Sequence, residues 1–206
     1  MLIKIQELKA KYNLDIKNIL HIGAHNAEEI GDYLEIGVEQ IHWVEANKEI
    51  ASHLDKILNP NFNKVSTAVV SEKDDEEVVF KIANNSQSSS ILDLGEHKQL
   101  FPSVHYIAEE TRKTTTIDKL MEDTNLVGTV DFINIDIQGA ELLALKGATK
   151  TLENTKSIYL EINDSHVYEN CGLTHEIDDY LSGFGFERVE KELWESHPWG
   201  DAFYIK

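Results

Sequence analysis

An apolar run, Ile19-Leu20-His21-Ile22, meets Gly23, and a polar helical stretch follows. A second apolar run, His42-Trp43-Val44, then ends on Glu45. This order constrains the fold more than any other part of the chain. It is the opening of a nucleoside-binding βαβ unit, in which the glycine lets a ligand approach the backbone and the carboxylate takes ribose hydroxyls. An ordinary strand-turn-helix with a turn glycine writes the same local pattern, so the rest of the chain has to decide.

A dinucleotide fingerprint needs glycine at three positions, G-x-G-x-x-G. Here those positions read Gly23, His25 and Glu28. The second glycine normally lets a pyrophosphate reach the backbone at a helix start that stabilises negative charge. His25 fills that space, and Glu28 and Glu29 place negative charge in the first turn. A nucleoside without phosphates and with a cationic centre suits such a turn better. S-adenosylmethionine has both properties.

The 206 residues suit one α/β domain spanning 1–206 with a sizeable core. The net charge is −18. Such a surface repels phosphate backbones and anionic lipid, so neither nucleic acid nor a membrane is an expected partner. Cys171 is the single cysteine, which rules out an internal disulfide and suits a reducing cytosol. The start of the chain reads as an amphipathic helix rather than a signal peptide, and no apolar run approaches the ~18 residues of a membrane span. A cytoplasmic location is therefore expected.

Periodicity predicts helices over 2–12, 26–36 and 48–58, the last stopped by Asn59-Pro60. Strands are predicted over 18–23, 41–46, 64–70 and 77–83. Residues 84–113 show no strong period. Such a segment is read as an insertion that shapes a substrate pocket or lid. Its serine run, 86–90, fits a flexible linker or a loop that closes over substrate. Asp118 is expected to cap a short helix. A strand over 130–136, a helix over 140–152 and a strand over 157–162 form the clearest βαβ unit. Thr174 is expected to cap a helix through Leu181, and a hairpin ends the chain. The alternation implies a parallel sheet covered on both faces, to which the hairpin adds one antiparallel strand. There are no repeats and no domain linker.

Ligands bind beyond the carboxyl ends of parallel strands. The polar residues expected there are Gly23 to His25, Glu45 to Asn47, Ala68 to Ser71, Asp136 to Gln138 and Glu161 to Asp164. Asp136 serves as a helix cap or a ligand contact, or both. Glu141, in a first helical turn, has dipole stabilisation as its simplest role. Asp136, Glu161 and Asp164 supply the oxygen donors a divalent cation would need, although a hydrogen-bonded loop is the favoured alternative and no metal is expected. His166 is a candidate base for a hydroxyl. His25 suits packing against a cofactor more than proton transfer.

The segments Ile22-Gly23-Ala24-His25, Val44-Glu45-Ala46, Ser88-Ser89-Ser90-Ile91-Leu92, Thr115-Thr116-Ile117-Asp118 and Asp131-Phe132-Ile133-Asn134-Ile135-Asp136-Ile137-Gln138-Gly139-Ala140-Glu141 occur in this order. Together they resemble the FkbM-type S-adenosylmethionine-dependent methyltransferases. The resemblance runs from about residue 18 to Phe203-Tyr204-Ile205 and is most specific over 131–147. It implies the class I methyltransferase (Rossmann-like) α/β fold, with a seven-stranded, mostly parallel sheet, a reversed last strand and helices on both faces. It also implies O-methylation of a sugar, glycan or natural-product hydroxyl. Gly23, Ala24 and His25 would line the methionine part of the cofactor, and Glu45 would hold the ribose. Asp136 would face the methionine or the acceptor. Two positions depart from the family pattern. Asn134 stands where a basic residue is usual, and Gln138 stands where glutamate is usual. An amide at 138 cannot act as a base.

The reading is thus a cytosolic O-methyltransferase. Its candidate cofactor contacts are Gly23, Ala24, His25, Glu45, Ala46, Asn47, Ala68, Val69 and Asp136. Asp136, Glu141 and His166 are the candidate catalytic residues. An NAD-dependent oxidoreductase and a catalytically inactive cofactor-binding module are the alternatives.

Overall fold

The computed structural model describes residues 1–124 and 130–206. The chain starts with α1 (Ile5–Tyr12), β1 (Asn18–Ile22), α2 (Ile30–Glu35), β2 (Gln40–Glu45) and α3 (Lys48–Ile57). Next come β3 (Asn63–Thr67), β4 (Val69–Val70), β5 (Glu77–Ala83), α4 (His97–Leu100), β6 (Tyr106–Thr115) and α5 (Ile117–Thr124). The second half holds β7 (Phe132–Ile135), α6 (Glu141–Lys146), α7 (Thr149–Asn154), β8 (Ser157–Asn163), α8 (Thr174–Ser182), β9 (Glu187–Leu193) and β10 (Trp199–Ile205). A seven-stranded sheet runs in the order β3-β2-β1-β7-β8-β10-β9. Only β10 runs against its neighbours. This is the class I methyltransferase fold, with β10 as the reversed last strand. Among the described residues no helix is long and apolar enough to cross a membrane.

Strand alternation divides the buried side chains between two faces. Leu20, Ile22, Val44, Ile133, Ile135 and Leu160 face one core, where α5, α6, α7 and α8 pack. Ile19, Ile41, Trp43, Phe132, Tyr159 and Phe203 face the other, covered by α1, α2 and α3. Along this second face the character changes toward the strand ends. Phe132 is followed on the same side by Asn134 and then Asp136, Tyr159 by Glu161, and Trp43 by Glu45. On β10, Phe203 and Asp201 repeat the step, and Asp201 lies opposite Glu161. The apolar core thus gives way to a polar crevice within one sheet face.

Five expectations need correction. The strand over 64–70 breaks at Ala68, so that β4 leaves the main sheet and joins β5 and β6 in a second sheet of order β4-β6-β5. The helix over 140–152 divides at Gly147, where an added Cβ would lie 2.4 Å from the Ser71 carbonyl oxygen. Asp118 caps α7 rather than its own helix, accepting from Lys150 N at 2.9 Å and Thr151 N at 2.8 Å. Thr174 is not a cap: Leu173 takes that place, and Thr174 Oγ1 donates to Asp164 Oδ1 at 2.7 Å. The predicted helix over 26–36 starts later, at Ile30, because His25 and Ala27 adopt left-handed φ values of 41° and 55°.

One buried network closes the apolar side of the crevice. Asn134 Nδ2 donates to the Tyr33 hydroxyl at 2.9 Å, and that hydroxyl lies 3.0 Å from His21 Nδ1. Trp43 packs on the His21 ring with centroids 4.8 Å apart. Asn134 therefore does structural work inside the sheet, where a basic side chain would need a counter-charge. Burial lowers the His21 pKa to about 4. The unfolded chain takes up a proton near pH 6.5 that the native state refuses. The stability held by neutral His21 is complete above pH 6.5 and declines as pH falls toward 4, by up to about 3 kcal/mol. His42 has its pKa lowered in the same way, and raised carboxyl pKa values act in the opposite direction, so the His21 contribution needs a difference measurement. Urea unfolding of wild type and His21→Gln between pH 4 and 7 isolates it. The gap between the two curves should narrow toward acid; parallel curves would remove His21 from the pH response.

Candidate active site

A cavity of about 610 Å³ opens at the carboxyl ends of β1, β2, β7 and β8. Its floor comes from the main sheet. The second sheet and segment 85–91 form one wall, through Phe80 and the Ser86 to Ser90 run. Phe101, Tyr168, Trp194 and Trp199 form an aromatic wall, with the Trp194 and Trp199 rings stacked at 5.8 Å. Segment 84–113, read from sequence as aperiodic, contains most of the ten-residue β6, which runs on to Thr115. Most β6 side chains are exposed or half-buried on both faces, so no apolar alternation marks the strand.

Gly23 has φ +88°, and a Cβ there would lie 1.7 Å from the Asp136 carbonyl oxygen. The sequence suggested that this glycine opens room for a ligand. Its first duty is to let the end of β7 cross the turn after β1. Asp136 N donates to Ile22 O at 2.9 Å, and Gly23 N donates to Val44 O at 2.9 Å. The turn thereby fixes Glu45 and Asp136 on either side of β1.

Glu45 ends β2 and lines the cavity. Its Oε1 accepts Asn47 N at 2.7 Å, and its Oε2 accepts His25 N at 2.8 Å. Burial raises its pKa although these donors favour the anion. His25 lines the cavity as well, bridging Glu28 Oε1 at 2.7 Å and Ser86 Oγ at 2.8 Å. That bond ties the serine segment to the turn after β1. Ala46, Ala68 and Val69 also line the cavity. Ala24 and Asn47 do not lie in its wall. Ala24 packs in the core beneath, and Asn47 caps α3 by accepting Glu49 N at 3.0 Å.

At the cavity floor Asp136 and Glu161 meet Glu141, a catalytic candidate from sequence that is buried behind the wall, with one carboxylate oxygen from each inside 4.8 Å of the others. Three like charges that close repel by roughly 3 kcal/mol or more per pair at an effective dielectric of about 20. Desolvation pushes all three carboxyls up, Asp136 to about 6 with the Asp201 charge adding to it, and Glu141 to about 7 and Glu161 well above its ordinary value with the Asp136 charge adding to both. Gln138 mediates: its Nε2 donates to Asp136 Oδ1 at 2.6 Å and reaches Glu161 Oε2 at 3.3 Å. Its own Oε1 accepts the Tyr168 hydroxyl at 2.7 Å, and its carbonyl accepts Ser90 Oγ at 2.8 Å. A glutamate at 138 would add a fourth carboxylate, so the amide is the electrostatically compatible choice here. Glu141 Oε1 holds Ile137 N at 2.9 Å and Gly139 N at 3.1 Å. Its Oε2 is buried without a partner.

Two further expectations do not converge on this floor. Asp164, grouped from sequence with Asp136 and Glu161, turns to Lys191 Nζ at 2.6 Å. Glu141 takes its place in the cluster. His166 is exposed and outside the cavity wall, with Nδ1 4.0 Å from Cys171 Sγ. Two residues escaped the sequence reading. Asp201 lines the cavity and accepts Leu2 N at 2.6 Å. Tyr168 holds Gln138. The period-two alternation from Phe203 back to Asp201 carried the signal for Asp201; nothing local marked Tyr168.

The Methyltransferase FkbM domain family model matches residues 21–188. No curated protein matches the sequence. Among solved structures, the chain is similar to Sp1610 of Streptococcus pneumoniae, described as a candidate tRNA (m1A22) methyltransferase. The TM-score is 0.54 at 13% identity, covering 100% of this chain and 70% of that one. The same protein in complex with S-adenosyl-L-methionine gives 0.51 at 15% identity, over 100% and 73%. The methyltransferase domain of a bacterial Hen1 protein gives 0.50 at 9% identity, over 98% and 95%. At these identities the likeness is one of fold.

Proposed function

The chain belongs to the FkbM methyltransferase family and uses S-adenosylmethionine, and we propose that the group it methylates is a hydroxyl of a sugar, a glycan or a small natural product. The observation that carries this reading is the acidic floor beside the Glu45 and Gly23 turn. Asp136, Glu161 and Asp201 line the cavity where a cationic sulfonium would lie, and Glu141 is buried behind Asp136 and Glu161. An acceptor amine drawn to the same floor would be held as the ammonium, which has no lone pair to attack with. A hydroxyl stays neutral and nucleophilic there. The wall supports the same class: aromatic faces of Trp199 and Phe101 suit the apolar side of a ring, and the serine hydroxyls suit its polar edge.

Each cofactor contact has a defined task. Glu45 takes the ribose hydroxyls, and Ala46, Ala68 and Val69 flank the adenine side. Gly23, His25 and Asp136 border the methionine. Ala24 and Asn47 act from behind, by packing and by capping. The methyl group is already activated on sulfur, so the protein's main contribution is to align the hydroxyl with the methyl carbon, worth roughly 7–11 kcal/mol at best. Transfer turns the cation into a neutral thioether, which the acidic floor holds less tightly. The chain's charge of −18 argues against a phosphate-rich acceptor.

An NAD-dependent oxidoreductase would need a pyrophosphate beside the paired His25 and Glu28, which that pair disfavours. A catalytically inactive module is suggested by Gln138 alone. Calorimetric titration with S-adenosylmethionine, S-adenosylhomocysteine and NAD, followed by methyl transfer to a panel of hydroxylated acceptors, separates the three. Binding of the first two and labelled methyl on a hydroxyl is the expected result. Tight NAD binding alone would overturn it, and cofactor binding without transfer across the panel would favour the inactive module.

A further inference from the structure

We propose that Asp136, Glu141 and Glu161 form a site for one hard divalent cation, with Mg²⁺ and Mn²⁺ as the matching chemistry. The three carboxylates come from separate places in the fold: the end of β7, the first residue of α6 and the end of β8. Oxygen atoms inside 4.8 Å of one another can share a small ion with slight inward adjustment. Three observations point to a ligand rather than to a self-contained loop. Glu141 is 1% exposed and one of its oxygens is held by loop amides, while its Oε2 is buried with no donor. Gln138 occupies one oxygen of Asp136 and one of Glu161, which leaves the second oxygen of each uncommitted. Among the described residues no ion pair includes any of the three acids; Lys191 is paired with Asp164 and Arg188 with Asp178.

Asp136 and Glu161 line the cofactor cavity and Glu141 is buried behind them, so an ion among the three faces the space an acceptor would enter. Its use in catalysis rests on the methyl-transfer reading: the cation takes the acceptor hydroxyl as a ligand, fixes its position and makes its proton more acidic. Asp136 then serves as a ligand, and the proton leaves to water. Binding of the cation itself is independent of that reading.

The test uses the full chain, stripped with EDTA and exchanged into metal-free buffer at roughly 0.15 M salt, which screens the acidic surface. Manganese(II) chloride is titrated in, and free Mn²⁺ is read by electron paramagnetic resonance. One Mn²⁺ per chain, displaced by Mg²⁺, is the expected result. Glu161→Gln and Glu141→Gln should each weaken it at least tenfold, with far-UV circular dichroism confirming the fold. Asp164→Asn should leave it unchanged. Failure to retain Mn²⁺, or several weak ions indifferent to the two glutamate variants, would overturn the site. The same samples are titrated with S-adenosylhomocysteine. Binding of that ligand without Mn²⁺ would remove the cation and leave the methyltransferase reading standing.

Discussion

Gly23→Ala should abolish most of the native state's stability, by about 4 kcal/mol or more. Two costs combine at this residue. Its φ of +88° is a left-handed conformation that costs an L side chain about 1–2 kcal/mol. The larger cost is the Cβ that would sit 1.7 Å from the Asp136 carbonyl oxygen, which is backbone and cannot rotate away. Relief would require the ends of β1 and β7 to separate. That breaks the Asp136 N to Ile22 O bond and loosens Gly23 N from Val44 O, each worth about 1 kcal/mol. Gly37→Ala is the control. Its φ is +85°, but no atom lies within 4 Å of a Cβ built there. It should lose only the conformational share. Urea midpoints for the two variants measure the difference, and similar midpoints would show that the strand ends move apart freely.

The legible part of the fold was the part whose side chains alternate between core and crevice, or are buried on both sides. The strands β1, β2, β7 and β8 carry near-continuous apolar runs because helices cover both faces. The seven-strand count and the reversed β10 followed from the resemblance and the terminal hairpin. The second sheet was not legible. The break at Ala68 separates two β-prone stretches without a proline or glycine between them, and β6 offers solvent on both faces. Gly147 reads as a tolerated helix glycine until the Ser71 carbonyl is brought against it. That contact is tertiary and leaves no local mark.

At the site, strand-end logic located Glu45, Asp136 and Glu161. It could not rank neighbours two or three residues apart. Asp164 and Glu141 have the same chemistry, and their places were decided by partners distant in sequence: Lys191 on β9 draws Asp164 outward, and the amides of Ile137 and Gly139 turn Glu141 inward. His166 was singled out by its residue type, yet the loop after β8 carries it to the surface. Gln138 looked like a lost base. Donating to both Asp136 and Glu161, it is the neutral group that lets them coexist.

Glu45→Ala should weaken cofactor binding at least tenfold, ~1.4 kcal/mol, with the fold intact. Both Glu45 oxygens already accept a backbone amide, from Asn47 and His25. A carboxylate has about four lone-pair sites, so two remain for a pair of vicinal hydroxyls. Alanine removes the ribose acceptor and also frees the two amides that shape the turn beside it. Glu45→Gln separates these effects, because it keeps the side chain's reach and one acceptor oxygen. It should fall between wild type and alanine. The decisive comparison pairs the variants with S-adenosylhomocysteine and its 2′-deoxyribose analogue. In wild type, losing the hydroxyl should cost affinity, because Glu45 is left with an unused acceptor. In the alanine variant the two ligands should bind alike. If the penalty for the deoxy ligand persists in Glu45→Ala, another group holds the ribose, and the carboxylate at the end of β2 only supports the turn.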